Sequence, residues 1–133
     1  MREETNMKII ETDNAPKAIG PYSQAVVSGG FVYTSGQIAI NPQSGNVEAD
    51  TIEAQTKQVC ENIKELLNAS GSSIANVVKT TCFLRNMEEF AAFNAVYEKY
   101  FVSKPARSCV AVRELPKNVL VEIDTIAELK EGL

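Results

Sequence analysis

Hydrophobic and polar positions along this chain switch repeatedly between a two-residue and a helical period. "MKIIET" has the short apolar run of a first strand, and the two prolines and glycine of "NAPKAIGPYS" exclude regular structure after it. Apolar runs on both sides of "SGG" in "QAVVSGGFVYTSGQ" predict a β-hairpin, with a second break at "SGQ". "INPQSGNVEAD" reads as a turn-rich loop. From about residue 51 to residue 69 the spacing turns helical, with Ile52, Val59, Ile63, Leu66 and Leu67 on one face. Asp50 and Glu53 stand at capping-box spacing before it, and Gly71 follows its end.

"NVVKTTCFLR" is a strand rich in β-branched residues. Asn86 and Glu89 repeat the capping pattern and open a second helix to about Phe101, closed by Lys104-Pro105. The final apolar stretches, "ARSCVAVREL" and "VLVEIDTIAEL", flank "PKN" and predict a hairpin. Strands, helix, strand, helix, strands is an α+β order, with two helices covering one face of a mixed β-sheet. We read residues 1–133 as a single domain; there is no internal repeat, low-complexity tract or linker.

Alternation assigns faces to the last two strands. Arg107, Cys109, Ala111 and Arg113 share one side, and Ser108, Val110 and Val112 the other. Val121, Ile123 and Thr125 likewise oppose Leu120, Glu122, Asp124 and Ile126. If the strands pair as a hairpin with apolar faces together, Glu122 and Asp124 stand on the side of Arg107 and Cys109. Arg107 is then either an edge-strand cation facing water or a planar fork for a carboxylate. Glu122 is either a solvated or ion-paired carboxylate, or one that orients or deprotonates a water.

Composition narrows the chemistry. The 133 residues are 44% hydrophobic and 23% charged, ordinary for one globular domain. No run of 18 apolar residues occurs, and "MREETNMKII" lacks the apolar core of a signal peptide, so a cytoplasmic location is expected. A net charge of −4, scattered basic residues and the absence of Trp argue against a nucleic-acid surface. Cys60, Cys82 and Cys109 form no CxxC and are expected to be reduced; among them Cys109 has a cationic neighbour that can activate it. Most informative, the chain has no histidine. Ser-His-Asp and Cys-His catalysis, His-ligated zinc and an imidazole acid or base are excluded.

Three further positions carry candidate chemistry. Gly20-Pro21 stiffens the loop that presents Tyr22, whose phenol can cover a small ligand or simply pack in a turn. Ser35-Gly36 ends a strand where backbone amides can meet an anion, without the spacing of a nucleotide loop. Asn94 lies in the apolar stripe of Phe90, Tyr97 and Phe101, and its amide needs partners. Neighbouring backbone is the expected one.

Taken together, "NAPKAIGPYSQ", "SGQI", "VVKTTCFL" and above all "PARSCVAVRELPKNVLVEIDTIA" resemble the Rid (reactive intermediate deaminase, or YjgF) family, within it the RidA-like group. The likeness covers nearly the whole chain. It implies a fold like bacillary chorismate mutase, a homotrimer with a central barrel, and ligand clefts at subunit interfaces. It further implies hydrolysis of 2-imino acids such as 2-iminobutanoate and 2-iminopropanoate, or their enamine tautomers, to 2-keto acids and ammonia. No metal or other cofactor is implied. By the same resemblance Arg107 binds the substrate carboxylate and Glu122 holds the attacking water. Tyr22 closes the pocket, Ser35, Gly36 and Cys109 line it, and Asn94 gives support.

Some positions depart from the family pattern: Ala111 where many members are acidic, Asp124 where Glu is usual, and Arg113-Glu114 of reversed character. Residues 1–6 precede the usual family start and are expected to be an N-terminal extension. Two other functions compete with the deaminase: a non-catalytic trimer that binds small carboxylates as a regulator or chaperone, and an endoribonuclease or translation inhibitor. The acidic balance and the absence of histidine weigh against the last.

Overall fold

The computed structural model describes residues 7–130, so the expected extension lies outside the described residues. Among the described residues six strands, β1 (Lys8–Ile10), β2 (Ala25–Ser28), β3 (Phe31–Thr34), β4 (Val77–Leu84), β5 (Ala106–Ala111) and β6 (Val121–Glu128), form one sheet in the order β1-β2-β3-β6-β4-β5. β1, β2 and β3 run antiparallel to their neighbours, and β2 and β3 form the predicted hairpin. Gly29 and Gly30 both take positive φ, 62° and 88°, the twist that a tight hairpin turn needs and that glycine adopts without a steric penalty.

Helix α1 (Ile52–Ala69) buries the predicted stripe, with Val59, Ile63, Leu66 and Leu67 at 0% exposure. Its N-cap is Thr51 rather than Asp50: Thr51 Oγ1 accepts from Ala54 N at 3.2 Å. Asn62 on the same helix donates from Nδ2 to the carbonyls of Ile38 (3.1 Å) and Ile40 (2.9 Å). That fixes the loop after β3 against the helix. Asn86 caps a 3-10 turn, Met87–Glu89, which leads into α2 (Phe90–Tyr100). The two helices lie side by side, joined by Tyr100 Oη donating to Glu61 Oε2 at 2.7 Å.

The expected final hairpin does not form. β4 (Val77–Leu84) lies between β5 (Ala106–Ala111), which it pairs in parallel, and β6 (Val121–Glu128), which it pairs antiparallel. Residues 112–120 instead cross the end of β4, where Val112 N donates to Leu84 O and Arg85 N to Leu120 O. Alternation gives a strand its faces but not its partner. α2 is the crossover that a parallel β4–β5 pair requires.

That pairing also reverses the expected faces. Arg107 stands opposite Thr80, and Thr80 opposite Thr125; Cys109 stands opposite Cys82, and Cys82 opposite Ile123. Thr80, Thr125, Cys82 and Ile123 are all buried beneath the helices. Arg107 and Cys109 therefore share the helix-covered side with Val121, Ile123 and Thr125. Glu122 and Asp124 lie on the outward side with Phe83, Thr81, Ser108 and Val110. The sequence misleads because β5 is an edge strand, where Val110 stays 47% exposed although it is the apolar member of its face.

Candidate active site: two clefts on one chain

Arg107 projects from β5 toward α2. Nη1 donates to Asn94 Oδ1 at 2.7 Å, and the guanidinium carbon lies 4.8 Å from the centre of the Tyr97 ring and 5.4 Å from that of Phe90. Phe90, Asn94 and Tyr97 follow a helical i, i+4, i+7 spacing, so one face of α2 supplies all three. The ring faces attract the cation, and Asn94 takes one of the five guanidinium donors, leaving a fork for a planar anion. An open cleft of about 540 Å³ runs past Arg107 between Asn94, Tyr97, Lys104 and Pro105. Asn94 thus bonds to the Arg107 side chain, not to backbone as the sequence suggested.

Cys109 lies two residues along on the same side and packs against the core. Burial pushes its thiol above the usual range, and the opposing pull of Arg107 is smaller. The expected cationic activation is outweighed. Cys82 is pushed up to about 12, again mainly by burial, and Cys60 is also raised; all three thiols are free.

The other half lies on the outward side, at the ends of β3 and β6. Tyr22, Ser35, Gly36 and Glu122 border one cavity of about 560 Å³, with Ile38, Ile40, Lys17 and Lys117 on its wall. Ser35 is fixed twice: Oγ donates to Ser23 O at 2.5 Å, and N donates to Gln24 O at 2.9 Å. Glu122 lies directly over Gly36, where an added Cβ would stand 2.8 Å from the carboxyl carbon. Only glycine leaves room for that carboxylate. Desolvation, and next the charge of Asp124, hold the Glu122 carboxyl above its usual range. Asp124 is raised too, by desolvation, against the pull of its bond with Thr81 and of Lys79.

Tyr22 is 54% exposed at the cavity mouth, held by its N–H donating to Gly20 O at 2.9 Å. Its loop depends on Gln24, a residue that sequence reasoning passed over. The buried Gln24 amide accepts from Thr12 N at 2.7 Å and donates from Nε2 to the carbonyls of Thr12 (2.9 Å) and Pro16 (2.8 Å). A glutamine between a Pro/Gly loop and an apolar strand was the available signal. The chain does break at "PKN" as read from the sequence, but its left-handed backbone was not foreseen: Lys117 and Asn118 both take φ 55°, and Lys104, beside the other cleft, takes 53°. For lysine this left-handed backbone costs of order 1 kcal/mol or more, and each lysine borders one of the two clefts.

Sequence reasoning therefore named residues of both clefts but placed Arg107 and Glu122 on one face. The structure gathers Arg107 and Asn94 in one cleft, and Tyr22, Ser35, Gly36 and Glu122 in another, on opposite sides of the sheet.

A six-stranded α+β fold with a guanidinium in one cleft and a carboxylate in a separate cavity defines a class of small α+β proteins with two candidate small-molecule sites. A family model described as Endoribonuclease L-PSP matches residues 12–129. A protein of Escherichia coli K12 named 2-iminobutanoate/2-iminopropanoate deaminase is 48% identical over 124 residues, spanning 90% of this chain and 96% of the relative. A Lactococcus lactis protein that bears the name of a regulator, AldR, is 54% identical over 125 residues, spanning 93% and 99%. The crystal structure of E. coli TdcF with bound serine superposes with a TM-score of 0.87 at 44% identity, covering 92% of this chain and 99% of that one. The chain belongs to the Rid (YjgF, L-PSP) family.

Proposed function

We propose that this protein hydrolyses small 2-imino acids, such as 2-iminobutanoate and 2-iminopropanoate, to 2-keto acids and ammonia. The observation that carries the reading is the Arg107 fork, oriented by Asn94 and lying over two aromatic rings in an open cleft. A planar cation fixed this way suits the one group every 2-imino acid has, its carboxylate. The deaminase-named relative at 48% identity supports the same reaction class.

Glu122 supplies the base. In its ionised form it takes a proton from water while the oxygen bonds to C2 of the iminium, giving a neutral carbinolamine. The protonated Glu122 then passes that proton to the amino nitrogen. The C–N bond breaks as the hydroxyl becomes a carbonyl, its proton returning to Glu122 and from there to the departing ammonia. An iminium carbon is already electrophilic, so positioning and one carboxylate suffice. The desolvated position of Glu122 raises its proton affinity, which favours the two steps in which it takes a proton, first from water and then from the hydroxyl.

The two halves face opposite sides of one sheet, so we infer that Arg107 of one copy meets Glu122 of another in a homotrimer. Support comes from the outward face, which leaves Tyr33 and Val110 41% and 47% exposed. Apolar exposure on one side of a sheet marks an association surface. By this reading Tyr22 closes the shared site and Ser35 and Cys109 line it.

A second reading is a carboxylate-binding regulator, favoured by the AldR-named relative and by the serine in the TdcF structure. Coupling the purified protein to a threonine dehydratase in the presence of semicarbazide separates the two. A deaminase lowers semicarbazone formation; unchanged trapping removes the basis for catalysis and leaves the binder. The endoribonuclease reading finds neither a histidine nor a basic surface to support it.

A further inference from the structure

We propose that Tyr97 and Thr80 are positioning residues that hold the Arg107 guanidinium in its carboxylate-binding orientation. The inference rests on the reading of Arg107 as the anchor. Arg107 stands on an edge strand, and a long side chain there loses rotamer freedom when it binds unless something holds it beforehand. The Tyr97 ring lies beneath it at 4.8 Å. That ring is itself clamped: Phe101 stacks on it at 4.4 Å with a 30° interplanar angle, and Phe93 lies tilted at 5.5 Å. Its hydroxyl is bonded to Thr80 Oγ1 at 2.7 Å.

Thr80 is 0% exposed and is the direct β4 neighbour of Arg107. One position on β4 thus fixes both the backbone of the anchor and the ring that carries its head. A buried hydroxyl is costly unless used, and here its close partner is the phenol under the guanidinium, with the Cys82 thiol a weaker one at 3.8 Å. Stability alone would be served as well by Val at 80 and Phe at 97, a pair of similar shape without polar atoms. Keeping the Thr80–Tyr97 bond fixes the ring's position in its plane.

The test uses a non-reactive ligand, 2-oxobutanoate, with affinity read by calorimetry on the intact protein and folding read by thermal melting. Tyr97→Leu removes the ring and is expected to weaken binding about tenfold or more. Thr80→Val and Tyr97→Phe each remove the bond and are expected to weaken it about threefold to tenfold. The double variant should bind no more weakly than either single one, because the bond to the ring is lost in all three. Thr80→Ser restores the hydroxyl and should bind within about twofold of wild type. In the trapping assay the same variants should raise KM by the same factors with kcat little changed. Ring-current shifts on the Arg107 side-chain protons should diminish in Tyr97→Leu.

A purely structural role predicts lower melting temperatures with wild-type affinity, and that result overturns the proposal. If Thr80→Val does not fold, Tyr97→Phe decides alone. Wild type that binds 2-oxobutanoate but protects no imine refutes the deaminase and leaves the anchor inference intact. Wild type that does not bind it refutes both.

Discussion

Arg107 and Glu122 stand on strands separated only by β4, yet their side chains leave the sheet on opposite sides. The register Arg107–Thr80–Thr125 runs under the helices, while Val110–Phe83–Glu122 runs along the outward face. If these residues act on one substrate, they do so across two copies. Chains carrying Arg107→Ala and chains carrying Glu122→Gln should each be inactive alone. Co-assembled in equal amounts in a closed ring, they should recover roughly one functional site in four. Activity no greater than the sum of the parents would exclude a shared site.

Replacing Arg107 by lysine keeps the charge but not the fork or the flat cation over Tyr97. We expect Arg107→Lys to raise KM roughly tenfold or more. Arg107→Ala should abolish saturable binding of 2-oxobutanoate. Equal KM values for Arg and Lys in the semicarbazide assay would contradict bidentate recognition.

Glu122 makes a prediction with two opposite signs. Its folded-state carboxyl titrates above its unfolded value, mainly through desolvation and secondarily through Asp124. The folded protein therefore holds this proton to higher pH than the unfolded chain. Stability contributed by that proton is complete below the ordinary carboxylate range and is lost as pH rises through the raised value. Glu122→Gln escapes this loss. Its melting temperature relative to wild type should climb across that window and level off above it, while kcat falls about a hundredfold or more. Asp124→Asn removes the like charge and should move the acid limb of kcat/KM to lower pH.

Gly36→Ala tests the packing of the carboxylate. The added Cβ meets Glu122 rather than open space, so the carboxylate must move. The atoms it meets are the mobile end of one side chain, so the cost in stability should be small. The specific expectation is a fall in kcat of about tenfold or more with little change in 2-oxobutanoate affinity, because the anchor half is untouched.

Cys109 should behave as a sluggish thiol. Burial raises its pKa and Arg107 only partly offsets this, so alkylation by iodoacetamide should accelerate with pH only above the ordinary thiol range. Arg107→Ala removes the offset and should move the profile further up. A rate plateau near neutral pH, read by mass spectrometry of the Cys109 peptide, would show an activated thiolate instead.

Much of this architecture can be read locally. The Gly29-Gly30 turn, the stripe of α1 and the Phe90/Asn94/Tyr97 face of α2 follow from spacing alone, and the family resemblance named residues on both half-sites. What could not be read was which strand lies beside which. Nothing in "ARSCVAVREL" says that its neighbour is β4, because alternation is the same in a parallel or an antiparallel pair. That one ambiguity carried Arg107 to the wrong side of the sheet. The N-cap shifted from Asp50 to Thr51 for a similar reason: adjacent residues were both competent caps, and the loop geometry chose. Gln24 escaped notice because its partners lie 8–12 residues away in an irregular loop.

The anchor half is drawn from one unbroken stretch of chain, Thr80 on β4 through Asn94 and Tyr97 on α2 to Arg107 on β5. The Glu122 cavity is gathered instead from three separate segments around residues 16–24, 35–40 and 116–122. Inheritance can act on these two parts separately. If Arg107 holds the carboxylate as proposed, a lineage can keep that stretch while exchanging Ile38, Ile40 or Lys17 on the other wall to choose among ligands that differ only beyond the carboxylate.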